Sequence, residues 1–224
     1  MEAEIAVPRT FAANPVRTSG PLVDMLAGAT MRLAAVVAET VFVRADLAVY
    51  IANPRRVSLL LVLLSELLTL GAILLPRTAI RRDTSLIALA LIPPVYCYAF
   101  LLVVVPSYHP GREIAATIVQ GAGLVWIIAS KLTLGRAFGL LPADRGLTTA
   151  GPYRVIRHPI YLGYLIVHIG FLMENPVLQN LVVLTLLYVV QYLRILREEA
   201  LLSAREEYRA YCGQVRFRMI PCIF

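Results

Sequence analysis

The sequence predicts an all-α integral membrane protein with about five transmembrane helices, a short C-terminal helical hairpin and a cytosolic helix extension. Of its 224 residues 59% are hydrophobic, and the mean hydropathy is +0.74. This is too apolar for a soluble domain of that size. Charged residues make up only 16% of the chain and gather beside apolar runs, as they do at the flanks of membrane helices.

The positive charge of the chain is typical of the flanks of membrane helices. We therefore do not expect a nucleic-acid partner. The formal net charge is +7, and Lys131 is the single lysine among 21 basic residues. The arginines lie next to apolar segments, which is typical of membrane proteins. Three cysteines without CxxC spacing predict neither a disulfide framework nor a metal site.

The N-terminal region, residues 1–56, is predicted to be a tail followed by an amphipathic helix over 22–52. Arg32, Glu39 and Asp46 recur every seven residues in this helix. We expect the helix to lie on the membrane or to pack against a second subunit in a homo-oligomer, and not to build the active site. A further membrane span is the less favoured alternative, because it would bury these charges.

Residues 57–134 are predicted to form a scaffold of three membrane spans. The predicted spans are Val57 to Pro76, Ser85 to Val105 with a kink at Pro93-Pro94, and Ile114 to Leu134 with Gly121 and Gly123 as helix-contact positions. The first is about 30 Å long at the helical rise, which matches the hydrocarbon core. Glu66 lies at its midpoint, where a carboxylate is costly. Glu66 either contacts substrate or is a protonated group bonded to a neighbouring helix.

Residues 135–224 are predicted to be the catalytic region. The stretch GPYRVIRHPIYLG at 151–163 places Arg157 and His158 directly before Pro159, which suits the first position of a helix. A helix N-terminus beside an arginine attracts a carboxylate or phosphate. The helix is short, Asn175-Pro176 predicts a tight turn, and Val177 to Ile195 returns as the last span.

The last span is predicted to continue into the cytosol as one helix up to Tyr211, because this stretch contains no glycine or proline. Helical spacing places six polar side chains on two adjacent stripes that face one site: Gln191, Arg194 and Glu198 on one, Tyr192, Glu199 and Glu206 on the other. A solvated charged helix end is the alternative interpretation. Most basic residues fall on the same side of the predicted topology as this extension, which predicts that it faces the cytoplasm.

The motifs of the C-terminal half closely resemble the isoprenylcysteine carboxyl methyltransferase family. The resemblance is carried by Gly135-Arg136, LTTAGPYRVIRHPIYLGY at 147–164, REEALL at 197–202, Tyr208, Tyr211 and a closing RFRMIP. It covers roughly residues 135–221 and does not reach residues 1–56. Phospholipid N-methyltransferases and small-thiol S-methyltransferases are similar in fold.

The resemblance implies a membrane enzyme that uses S-adenosylmethionine, releases S-adenosylhomocysteine and needs no metal. The distribution of basic residues predicts that its active site faces the cytoplasm. The acceptor it implies is a lipophilic or lipid-modified molecule that enters from the membrane lipids. A prenylated cysteine carboxylate, a phospholipid amine and a small hydrophobic thiol all remain open.

The resemblance also implies a set of site residues. The cofactor-binding residues are Tyr153, Arg157, His158, Pro159, Tyr161, Leu162, Gly163, Glu198 and Glu199. Arg194, Glu199 and Glu206 are the catalytic candidates, and Glu66 and Tyr192 are the candidates for contact with the acceptor. A transporter or a non-enzymatic scaffold is the alternative of another class. A transporter would distribute polar residues over several spans and show an internal repeat, and a scaffold does not explain the RHP motif and the paired glutamates.

Overall fold

The computed structural model describes residues 21–52, 57–75, 81–83, 85–103, 110–137, 143–144, 146–221 and 223, and helices dominate them. The helices are α1 (Pro21–Ala52), α2 (Val57–Leu74), α3 (Leu86–Ala90), α4 (Ile92–Cys97), α5 (Pro110–Leu134), α6 (Pro159–Glu174), α7 (Leu178–Leu202) and α8 (Glu206–Gln214). Two short strands, β1 (Arg81–Arg82) and β2 (Ala143–Asp144), pair antiparallel with Arg81 opposite Asp144. The predicted N-terminal tail and the turn at 53–56 lie outside the described residues.

Two of the described helices are long and apolar enough to cross a membrane, at Gly111–Leu134 in α5 and Leu178–Leu202 in α7. Both carry large apolar side chains that are exposed, such as Ile118 and Val125 on α5 and Leu186 on α7. Exposed apolar faces of this kind are stable against lipid. The apolar helices at 60–74, 87–101 and 159–174 are shorter, so the count of about five spans stays a prediction.

Helices α5 and α6 pack closely because glycines lie where they meet. A Cβ atom added at Gly123 would lie 2.9 Å from the carbonyl oxygen of Gly163, and one added at Gly170 would lie 2.9 Å from the carbonyl oxygen of Ala116. These distances leave no room for a side chain, so backbone meets backbone. The predicted contact at Gly123 is confirmed. Gly121 instead faces open space.

The predicted kink at Pro93-Pro94 is a complete break in the helix. Helix α3 ends at Ala90, and α4 begins at Ile92 with both prolines in its first turn, where a missing backbone N–H costs little. The chain after α4 is fastened to α7 by the buried amide of Asn180. That amide donates to the Val103 carbonyl and accepts from the Val103 N–H, both at 2.8 Å.

The predicted hairpin of α6 and α7 is confirmed, with its turn at Asn175-Pro176. The single helix predicted to run from the last span to Tyr211 is wrong, because α7 ends at Leu202 and α8 begins at Glu206. The side chain of Ser203 bonds back to the carbonyl of Ala200 at 2.9 Å, and Arg205 binds Asp144 on β2 at 2.9 Å. These contacts turn the chain although no glycine or proline is present.

Candidate active site

A cavity of about 400 Å³ extends between the membrane helices and residues 203–221, which we call the C-terminal segment. Its size is typical of small-molecule sites. We distinguish two groups among its polar lining residues. We call the first the loop end, which comprises Tyr153, Arg157, His158, Glu198, Tyr208 and Tyr211. We call the second the acidic end, which comprises Glu39, Asp46 and Glu66.

Behind the loop end, Glu199 is the centre of a buried ionic network. Its carboxylate accepts from Nε of Arg157 at 2.8 Å and from Nε of Arg218 at 2.7 Å. Nε2 of His158 lies 3.3 Å from the same carboxylate. Of the other two Arg157 nitrogens, Nη2 donates to the same carboxylate at 3.4 Å and Nη1 donates to the Val215 carbonyl at 3.1 Å. Charges this deeply buried are stable only when paired and hydrogen-bonded, as these are.

This network corrects the predicted geometry of Arg157 and Glu199. Both side chains were predicted to hold one ligand, whereas in the structure they bind each other. Arg157 still lines the cavity, but Glu199 does not. The ion pair of Arg157 and Glu199 therefore stabilises the wall of the cavity.

The C-terminal segment forms one wall of the loop end. Backbone N–H groups of Arg157 and His158 donate to the carbonyls of Phe217 and Arg218, at 3.0 and 2.8 Å. The hydroxyl of Tyr211 donates to the Tyr153 carbonyl at 2.6 Å. Burial raises the pKa of the Tyr211 phenol, so this group stays a neutral hydrogen-bond donor.

Three polar side chains of α7 point into the cavity, as their predicted stripe requires. The carboxylate of Glu198 lies 3.9 Å from Nδ1 of His158, and Arg194 is hydrogen-bonded to Tyr161. Gln191 is only 4% exposed, and its Oε1 has no hydrogen-bond partner among the described residues. A buried acceptor without a partner is costly, so Gln191 is suited to bind a donor that enters the cavity.

The acidic end is built by α1 and α2. Glu39 is 2% exposed, and it lines the cavity together with Glu66. Close by, the ammonium of Lys131 donates to the carbonyl and hydroxyl of Ser65 and to the hydroxyl of Thr69, at 3.1, 2.9 and 2.6 Å. Glu66 lines the cavity, and both of its predicted roles stay predictions.

The imidazole of His168 separates this cavity from a second, apolar one. Its Nε2 is 3.0 Å from the Tyr98 hydroxyl, and its Nδ1 is 2.8 Å from the Tyr188 hydroxyl. His168 lines both cavities, Tyr98 the first and Tyr188 the second. The second cavity runs along the α6 and α7 hairpin.

The structure brings together seven of the residues that the sequence singled out. They are Glu66, Tyr153, Arg157, His158, Tyr161, Arg194 and Glu198, all of which line the cavity. Their individual roles stay predictions.

The other predicted site residues do not line this cavity. Gly163 lies in the contact with α5, the Pro159 carbonyl accepts from Nε1 of Trp126 at 3.0 Å, and Leu162 is also absent from the lining. Tyr192 lines the apolar cavity instead. Glu206 is exposed at the start of α8, because the break at Ser203 turns it away from the site.

The main contribution that sequence reasoning missed comes from α1. This helix was expected to lie outside the active site, but Glu39, Phe42 and Asp46 line the cavity. The seven-residue spacing of Glu39 and Asp46 did indicate one common face. That face meets the cavity, and a single sequence gives no signal of which neighbour a polar face meets.

Residues 114–208 match the phospholipid methyltransferase family. This match identifies the segment as that of a membrane methyltransferase. It confirms the predicted resemblance, since this family and the isoprenylcysteine carboxyl methyltransferases belong to one group of membrane methyltransferases. A comparison with curated proteins finds no match to the chain. The matched segment contains α6, α7 and the start of α8, whereas α1 and α2 lie outside it.

Proposed function

We propose that this membrane methyltransferase transfers the methyl group of S-adenosylmethionine to a lipophilic acceptor that enters from the bilayer, as the isoprenylcysteine carboxyl methyltransferases do. The observation that carries the proposal is the cavity itself, in which the loop end and the acidic end are continuous. One end can hold the cofactor while the other receives the acceptor. A five-span topology with this site at the cytoplasmic face belongs to the same proposal.

The loop end, together with the neighbouring lining residues Tyr161, Gln191 and Arg194, fits the chemical groups of the cofactor. The unpartnered Oε1 of Gln191 and the carboxylate of Glu198 suit an ammonium group and ribose hydroxyls. Arg194 suits the cofactor carboxylate, since Arg157 is already bonded to Glu199. Tyr153 and Tyr161 offer aromatic faces to the adenine. When bound, the cofactor would supply a methyl group on a positively charged sulfur.

The residues that line the cavity would position the cofactor and the acceptor and exclude water from the site. The network at Glu199 fixes Arg157 and His158, and the C-terminal segment fastens the backbone at these two positions. Because these hydrogen bonds hold the side chains in place before the reaction, no free energy is spent on reorganising them during it.

Two acceptor classes are favoured by different observations. A prenylated cysteine carboxylate agrees with the resemblance of residues 135–221 to the isoprenylcysteine carboxyl methyltransferases. A phospholipid amine is suited to the acidic end, and it agrees with the name of the matched family. A small hydrophobic thiol would also find room.

Radiolabelled methyl transfer by detergent-purified protein tests the proposal. We expect S-adenosylhomocysteine to raise the apparent melting temperature, and we expect label to appear in one of the three acceptor classes. If neither S-adenosylmethionine nor S-adenosylhomocysteine changes the melting temperature, and no acceptor is labelled, the proposed function is wrong.

A further inference from the structure

Near its end, α7 directs three successive side chains away from its axis in different directions. Successive side chains of a helix are about 100° apart around the axis. Arg197 is bonded to the segment before α3, and Glu199 is bonded to Arg157, just before α6. These two side chains therefore leave α7 about 200° apart. Glu198 lies on the arc between them, and it lines the cavity.

Arg197 is held by two groups of the segment before α3. Its Nε donates to Oδ2 of Asp83 at 2.7 Å, and its Nη2 donates to the Ser85 hydroxyl at 2.6 Å. Asp83 is itself held, because its Oδ1 accepts from the backbone N–H of Ser85 at 3.0 Å. The Ser85 hydroxyl also caps α3, since it accepts from the Ala88 N–H at 3.2 Å. Arg197 thus binds two acceptors whose positions are already fixed.

The ion pair of Arg197 and Asp83 is mostly shielded from water. The two side chains are 13% and 14% exposed, so solvent and salt weaken their attraction less than that of a surface pair. Ile195 and Leu196 of the same helix are also buried, but apolar packing is non-directional. Charged hydrogen bonds, by contrast, depend on direction and distance. The pair therefore fixes the rotation of α7 about its axis.

Glu198 depends on this rotation for its direction. Its carboxylate lies 3.9 Å from Nδ1 of His158, and the side chain is 33% exposed. A separation of 3.9 Å is longer than a hydrogen bond, so this contact does not fix the carboxylate. The Glu198 carboxylate is therefore available to a ligand, and the helix that carries it determines where it points.

We propose that Arg197 is a positioning residue for cofactor binding, which fixes the end of α7 and thereby directs the Glu198 carboxylate at the cofactor. This inference rests on the proposed function, in which Glu198 binds a group of S-adenosylmethionine. Arg197 acts from outside the cavity, because it is not among the described residues that line it. Its partners Asp83 and Ser85 precede the segment that matches the family, residues 114–208. Cofactor binding thus depends on a part of the chain that the family match does not include.

The test measures the affinity of detergent-purified protein for S-adenosylhomocysteine by calorimetry. Arg197→Ala should weaken binding about tenfold or more, because a misdirected carboxylate loses a charged hydrogen bond to the ligand. In a Glu198→Gln background the same substitution should cost less than about twofold, since groups that act through each other are not additive. Equal losses in both backgrounds would show that Arg197 does not act through Glu198, and would overturn the inference.

Two further variants distinguish positioning from general stability. Arg197→Lys keeps a cation for Asp83 and should recover part of the affinity that Arg197→Ala loses. Asp83→Asn removes the charge on the other side of the pair and should weaken binding in the same direction. Arg216→Ala is the matched control at an exposed arginine, and its affinity should equal that of the wild type.

Each outcome decides the inference. A lower melting temperature of Arg197→Ala with unchanged affinity would assign Arg197 a structural role only and overturn the proposal. If Arg197→Ala fails to fold, Asp83→Asn in the wild-type and Glu198→Gln backgrounds decides in its place, and wild-type affinity of Asp83→Asn counts against the proposal. Wild-type protein that does not bind S-adenosylhomocysteine overturns the proposed function instead.

Discussion

Arg157 and Glu199 form a buried ion pair with 2.8 Å between Nε and Oε1, although they are 42 positions apart in the chain. Arg218 joins the same carboxylate at 2.7 Å. The pair thus ties the start of α6, the end of α7 and the C-terminal segment into one unit. The short α6 and α7 hairpin makes this possible, because it returns the chain to the face that it left.

The first prediction concerns the stability supplied by this pair. Arg157→Ala and Glu199→Gln should each lower the free energy of unfolding by about 3–5 kcal/mol, because each leaves a buried charged or polar partner uncompensated. The double variant should lose clearly less than the sum. Unfolding of detergent-purified protein measures all three, with Arg154→Ala as an exposed arginine control. Strictly additive losses would show that the pair is not a coupled unit.

The second prediction concerns the packing of α5 on α6. Gly170→Ala should destabilise the protein by about 1–3 kcal/mol, because the added Cβ lies 2.9 Å from the Ala116 carbonyl oxygen and the helices must separate. Gly121→Ala is the matched control on α5, where nothing lies within 4 Å. It should be neutral or slightly stabilising, since alanine favours helix. The melting temperatures of the two variants check this, and equal values would contradict it.

Much of this architecture could be predicted because local signals determine it. Pro159 and Asn175-Pro176 set the boundaries of α6 through backbone chemistry alone. The break at Pro93-Pro94 follows from the same rule. Gly123 predicted a close contact between helices because glycine has no side chain to hold them apart.

Other features depend on tertiary contacts that a single sequence does not reveal. The end of α7 at Leu202 is stabilised by Arg205 on Asp144, a partner on a distant strand. Glu39 reaches the cavity because α1 packs against α2. The ion pair of Arg157 and Glu199 satisfies both charges internally, whereas the sequence pattern favoured a ligand between them. In each case the residue type was recognised and its partner was not.

The third prediction separates two glutamates that the sequence placed in the same site. Glu198 lines the cavity and Glu206 does not. Glu198→Gln should weaken binding of S-adenosylhomocysteine by about 1.5–3 kcal/mol, the range for a hydrogen bond to a charged group. Glu206→Gln should leave the affinity unchanged. Calorimetric titration of both purified variants decides, and a loss confined to Glu206→Gln would show that Glu206, and not Glu198, contacts the cofactor.

The last prediction uses Cys212 to test the orientation of the C-terminal segment. This thiol is half-buried against Tyr208 and Tyr211, and burial raises its pKa. Less thiolate is therefore present at pH 7 than at an exposed cysteine, so alkylation should be slow there and accelerate as the pH rises toward 9. In a Cys97→Ser, Cys222→Ser background, a membrane-impermeant maleimide should label Cys212 only after cells are permeabilised, if this segment lies in the cytoplasm. Labelling in intact cells would place the loop end of the cavity on the opposite face and reverse the proposed topology. A rate that is independent of pH would show that the thiol is not packed against the two tyrosines.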